Sequence, residues 1–180
     1  MLGHMDIADE EAVLELRRAL SDEAKEVRSQ AANSLAQLGA KVVLADLQTD
    51  KVQQAAAVLK EEGLQAEGRT LDIGDSAAVS SFFEEFAATE GQLDILVNNA
   101  GVGQNVSPVV TLTDEEWNRV LHVTLTGTFY CCRDAGRIME RQESGTIVNL
   151  SSINGLNPVA LVAAYNVAKA GVISLTRTLA

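Results

Sequence analysis

From Lys41 onward the chain alternates short runs of strand character with longer stretches of helical periodicity, and this constrains the fold more than any other feature. Lys41–Ala45 (KVVLA), Gln65–Leu71, Asp94–Val97 (DILV) and Thr146–Leu150 (TIVNL) read as four strands. The first is a short β-branched run, as expected of a buried parallel strand. Between them, Thr49 or Asp50 caps a helix carrying Val52, Ala56 and Leu59 that stops at Gly63. Asp75 or Ser76 caps a second, with Val79, Phe82, Phe83 and Phe86, ending near Gly91. Thr113–Glu116 (TDEE) has the capping-box spacing and opens a long helix through Trp117, Val120, Val123 and Phe129. A last helix runs from Ala163. Such alternation, without long linkers or an internal repeat, predicts a three-layer α/β domain: a parallel sheet with helices on both faces.

The first 28 residues have a different style. Asp6 to Arg28 is charged and helical in pattern, and Val27, Ala31, Ala32, Leu35 and Leu38 form the apolar stripe of a further helix, with Gly39 in the C-cap place. The predicted organisation is a helical N-terminal segment, 1–28, followed by an α/β domain, 29–180.

Composition narrows the function classes. With 47% hydrophobic and 22% charged residues the chain reads as globular. Its net charge of −11 repels phosphate backbones, and its Lys and Arg residues form no basic run, which argues against a nucleic-acid partner. No apolar run reaches the length of a membrane span, and Met1–Met5 lacks the pattern of a secretion signal, so a cytoplasmic protein is expected. Cys131 and Cys132 are helix neighbours pointing about 100° apart. They share no recognisable spacing with His4 or His122, so free thiols are expected and no metal site.

Three features carry chemistry. Asn98-Asn99-Ala100-Gly101 follows the DILV strand, and ligands of open α/β sheets bind beyond the carboxyl ends of strands. Small residues there admit a flat cofactor; an ordinary strand-ending turn has the same composition. Tyr165 and Lys169, four apart on a helix, leave one face. A phenol titrates at about 10 and is a poor base at neutral pH, and a neighbouring ammonium favours its phenolate. Such a tyrosine can exchange a proton with a substrate oxygen while a cofactor exchanges hydride. Ser152 closes the TIVNL strand thirteen residues before Tyr165, where it can hold a substrate oxygen or cap a turn.

Together these residues resemble the short-chain dehydrogenase/reductase family, over about Gln30 to Ala180. The resemblance implies a Rossmann-like fold, with Tyr165 as catalytic acid/base, Lys169 tuning it and binding the nicotinamide ribose, and Ser152 positioning the substrate oxygen. Asn99, Ala100 and Gly101 would line the cofactor site, and Asp72-Ile73 would contact the adenine. Asp46, closing the first strand, would bond the adenosine ribose hydroxyls and repel a 2′-phosphate, so NAD is the expected cofactor rather than NADP. The substrate would be a small secondary alcohol or ketone. Its identity depends on the loops Val102–Pro108 and Ile153–Leu161 and on the segment that relatives carry beyond Ala180, roughly 70 residues at ordinary domain size. Helices 114–141 and 164–180 resemble those that build subunit contacts in the family, so a homo-oligomer is expected.

The sequence departs from the family's pattern at two further points. No first strand with a glycine-rich phosphate loop is readable before Gln30, where Glu26-Val27-Arg28-Ser29 stand, and Ala12–Ala40 weakly resembles one HEAT-type repeat. Thr124, seven residues after Trp117, stands where the family usually has an Asn that helps hold a relay water. The shorter hydroxyl either preserves part of that relay or slows it. These departures leave a second reading open: a catalytically inactive truncated or chimeric homologue acting at most as an interaction module.

Overall fold

The computed structural model describes residues 32–180. The readings for residues 1–28, including most of the HEAT-like stretch, lie outside the described residues. The chain divides into two compact units, one ending at Leu71 and one running from Asp72 to Ala180.

In the first unit, residues 32–37 are helical. Strand β1, Val42–Asp46, then leads through helix α1, Thr49–Glu61, to strand β2, Ala66–Thr70. The strands pair in parallel from Val42 opposite Ala66 to Asp46 opposite Thr70. Val52, Ala56 and Leu59, at helical spacing, are the buried residues of α1. Ala56 and Leu59 form a core with Ala66, against which Ala32, Leu44 and Leu64 pack. The helix approaches β2 so closely that a Cβ added at Gly68 would lie 2.6 Å from the Val52 carbonyl oxygen. β2 is less apolar than a strand covered on both sides, because Glu67 and Arg69, two apart on one face, form a 2.7 Å ion pair.

The second unit starts with helix α2, Ser76–Glu90, whose N-terminal amides of Ala77 and Ala78 donate to the Asp75 carboxylate. Strand β3, Ile95–Asn98, and strand β4, Thr146–Asn149, pair in parallel from Ile95 opposite Thr146 to Asn98 opposite Asn149. The long helix expected from Thr113 is not regular. Helix α3, Asp114–Leu121, gives way to a π-helical turn, His122–Gly127, before helix α4, Thr128–Gln142. Thr124, Thr126 and Gly127 are weak helix formers, and Thr124 gains bonds outside the helix, described below, that favour the bulge. Helix α5, Ala163–Leu179, buries Ala164 and Ala168 against Val120, with Trp117, Leu121, Leu125 and Tyr165 around them.

The expected single sheet is therefore found as two parallel pairs, β1–β2 and β3–β4. Among the described residues no helix is long and apolar enough to cross a membrane, and no cluster of His, Cys, Asp and Glu could hold a metal ion.

Candidate active site

Within the second unit, the carboxyl ends of β3 and β4 are locked by a partly buried polar network. Asn98 Nδ2 donates to Asn149 Oδ1 at 2.8 Å and to Cys132 Sγ at 3.2 Å, and Asn149 Nδ2 donates to Thr176 Oγ1 at 3.0 Å. Asn98 thus belongs to the scaffold, and the residues that follow it turn outward: Asn99, Ala100 and Gly101 are exposed.

The loop after β3 is pinned residue by residue. Thr124 Oγ1 accepts from Val102 N at 3.1 Å and donates to Val102 O at 3.3 Å. The Thr124 side chain is therefore committed to the backbone of Val102 and buried. Arg119 donates to Gly103 O, and the Glu116 carboxylate accepts from Asn105 N, both at 2.8 Å. The expected capping box is thus half present. Thr113 Oγ1 accepts from Glu116 N, but the Glu116 carboxylate turns to Arg119 and Asn105, which hold it below the usual carboxylate range.

The loop after β4 docks on α5 at Lys169. Ser151 Oγ donates to Lys169 O at 2.7 Å, and a Cβ added at Gly155 would lie 2.8 Å from the Lys169 carbonyl. Ser152 caps the short turn Ile153–Gly155, its Oγ accepting from Asn154 N at 3.2 Å. Lys169 is buried with its Nζ donating to Leu150 O at 2.7 Å, and lies 5.8 Å from the Tyr165 ring centroid. A Cβ added at Gly101 would stand 3.5 Å from Thr124 Oγ1 and 3.8 Å from Lys169 Nζ. Gly101, Thr124, Tyr165 and Lys169 are therefore brought together by three separate segments. Ser152 is held one residue beyond the Ser151 anchor.

Two predicted cofactor residues sit on a turn of the same unit. Asp72 accepts from Gly74 N at 2.8 Å. Ile73 packs on the π turn, where a Cβ at Gly127 would meet its Cγ1 at 2.8 Å. In the first unit, exposed Asp46 accepts from Gln48 N at 2.8 Å. The cap position of α1 is Gln48, so Asp46 forms a strand-end Asx turn instead of a helix cap. Both cysteines are buried and free, and burial pushes the Cys131 thiol up to about 12.

Sequence reasoning missed the parts that act at a distance: Asn98 with Asn149, the Ser151 anchor and Gln104. Only for Gln104 is there a trace in the sequence. Val162, at the cap position of α5, has no side-chain acceptor for the helix amides, which calls for a partner elsewhere.

A family model described as short chain dehydrogenase matches residues 28–180. The chain is 42% identical over 149 residues to galactitol 2-dehydrogenase of Rhizobium johnstonii, covering 82% of this chain and 58% of that protein. A metagenomic short-chain oxidoreductase crystallised with NADP superposes with a TM-score of 0.79 at 32% identity, over 93% of this chain and 71% of that one. NAD+-bound xylitol dehydrogenase gives 0.77 at 28% identity, over 83% of this chain and 59% of that one. The chain belongs to the short-chain dehydrogenase/reductase family and has its Rossmann-like fold. It spans 58% of the length of the galactitol enzyme.

Proposed function

We propose that this chain carries the proton-handling and cofactor-lining part of an oxidoreductase that interconverts a secondary alcohol and a ketone with NAD(H). The observation that carries this reading is the buried Lys169 ammonium, fixed by Leu150 O between the Tyr165 ring and Gly101. Held there, the ammonium lies 5.8 Å from the Tyr165 ring centroid and next to the exposed Gly101. The residues fit a nicotinamide nucleoside: an ammonium to donate to ribose oxygens, and the exposed strip Asn99–Gly101 for a flat ring to lie on. A bound nicotinamide would supply or accept the hydride. Tyr165 would pass the proton to or from the substrate oxygen, Lys169 would stabilise the phenolate formed, and Ser152 would hold the oxygen. Thr124 would keep the Val102 loop in place beneath the cofactor.

Asp46 supports NAD over NADP, since a second negative charge at a 2′-phosphate would meet its exposed carboxylate. Asp72 and Ile73 would flank the adenine. Residues 95–113 and 144–168 contain no Asp, Glu, Lys or Arg, which favours a substrate that is uncharged where it meets these two loops. Exposed Phe129 and Val167, on α4 and α5, fit self-association through those helices.

Titration of the chain with NADH and NADPH, read by calorimetry, tests the reading, with Asp46→Ala as the control. Saturable NADH binding that exceeds NADPH binding, with the preference lost in Asp46→Ala, supports it. No binding of either up to millimolar cofactor would leave the inactive homologue as the reading to keep.

A further inference from the structure

Helix α5 begins without a cap of its own, yet its first turn carries Tyr165. Gln104, sixty residues earlier on the loop after β3, supplies what is missing. Its Oε1 accepts from Ala164 N at 2.7 Å and from Tyr165 N at 3.4 Å, while its Nε2 donates to Leu161 O at 3.4 Å. Leu161 has φ 69, in the left-handed region that a leucine enters only under constraint. Its carbonyl also accepts from Ser107 N at 2.9 Å. From the helix side, Asn166 Nδ2 donates to Val159 O at 2.7 Å. An amide is suited to this place because it accepts from helix N–H groups and donates to a carbonyl at once.

We propose that Gln104 is a positioning residue for Tyr165, acting as a remote cap that holds the first turn of α5 and the strained Leu161 in one geometry. The role rests on the proton-handling proposed for Tyr165. The bond to the Tyr165 amide fixes where its Cα sits, and so where the phenol can reach. Because Gln104 lies three residues after Gly101, one short loop both lines the cofactor side and sets the tyrosine.

The test uses the full chain labelled with 3-fluorotyrosine, in which Tyr130 and Tyr165 give two fluorine resonances assigned with Tyr130→Phe. In Gln104→Ala, amide exchange at Ala164 and Tyr165 should quicken about fivefold to tenfold, as for loss of a helix cap. The Tyr165 fluorine should shift while that of Tyr130 stays. Gln104→Glu restores the acceptor at the helix N-terminus and should return amide protection, which a loss of packing alone would not do. Gln104→Met, of similar length without an acceptor, should behave as the alanine does and serves if the alanine variant fails to fold. Unchanged exchange and an unmoved Tyr165 resonance in both Ala and Met variants would overturn the proposal, as would equal changes at Tyr130. Failure of NADH binding would instead sink the functional reading and leave these readouts intact.

Discussion

The two units hold their candidate residues in opposite ways. In the first, Asp46 is fixed by a bond to Gln48, two residues away, at the end of a strand whose neighbour β2 mixes Glu67 and Arg69 with small residues. In the second, Asp72 and Ser152 also make local bonds, to Gly74 and Asn154, but the frame around Tyr165 and Lys169 is fixed from a distance. Thr124 reaches back 22 residues to Val102, Gln104 reaches forward 60 to Ala164, and Asn98 meets Asn149 across 51. The first arrangement suits a residue that meets a ligand from solvent. The second suits groups whose mutual geometry has to be kept within a fraction of an ångström.

The strongest way to break the comparison is to push the packing where a helix touches a backbone. Gly68→Ala would drive a Cβ into the Val52 carbonyl, and Gly155→Ala into that of Lys169. Each should cost about 1–3 kcal/mol by urea melt, the usual range for overpacking. The outcomes should differ in kind. Gly68→Ala should leave the environment of Tyr165 unchanged, whereas Gly155→Ala should move the Tyr165 ring signals, because it displaces the helix at Lys169. Equal effects of both on Tyr165 would remove the distinction between local and long-range support.

Next in size is Asn98→Ala. It leaves the half-buried Asn149 Oδ1 with only the Cys132 thiol at 3.3 Å in place of its 2.8 Å donor, and should cost about 1 kcal/mol. The control in the first unit is Thr70→Ala, which removes the exposed Thr49–Thr70 hydroxyl bond and should stay within about 0.5 kcal/mol. A neutral Asn98→Ala would mean that the β3–β4 network contributes little.

Legibility in the sequence follows the same divide. The strands lie within a residue or two of their expected places, and the buried positions Val52, Ala56, Leu59, Val79 and Phe83 follow from helical spacing. The Tyr165–Lys169 pair is read directly, since four residues on a helix fix one face. The π turn at His122–Gly127 could not be read, because a bulge depends on what Thr124 finds outside the helix. The TDEE spacing assigns the Glu116 carboxylate to its own cap, whereas the loop that claims it lies eleven residues away. Local rules see one element at a time, and this site is built from four.

A comparable effect comes from charge. Asp134, buried on α4, accepts from Arg133, Arg137 and Ser80, and the Arg133 bond foremost holds its carboxyl below the ordinary 3.8. A depressed pKa means that the stabilisation is complete above the unfolded value and is lost as pH falls through the folded one. Asp134→Asn should therefore cost about 1–2 kcal/mol at neutral pH, a difference that shrinks below about pH 4. In the first unit the Glu67 carboxyl is also held low, by Arg69, but its side chain is 38% exposed and the pair is screened by solvent. Glu67→Gln should show little pH-dependent difference in the same melts. An equal acid response in both variants would mean that burial of Asp134 adds nothing.

The smallest effect is a gain. Three helix ends close with the same two backbone bonds. In the first unit Gly39 donates to Ala36 O with Ala40 to Leu35 O, and Gly63 donates to Lys60 O with Leu64 to Leu59 O. In the second, Glu143 donates to Glu140 O with Ser144 to Met139 O. The motif needs a left-handed residue at its turn, and the first unit uses glycine there, at φ 93 and 81. The second uses Glu143, at φ 56, where a Cβ crowds its own backbone. Glu143→Gly should relieve that strain, less the extra freedom it gives the unfolded chain, for a net gain of about 0.5–1 kcal/mol. Glu143→Ala keeps the Cβ and should gain nothing, so an equal rise in both variants would place the cause in the lost charge instead of the backbone.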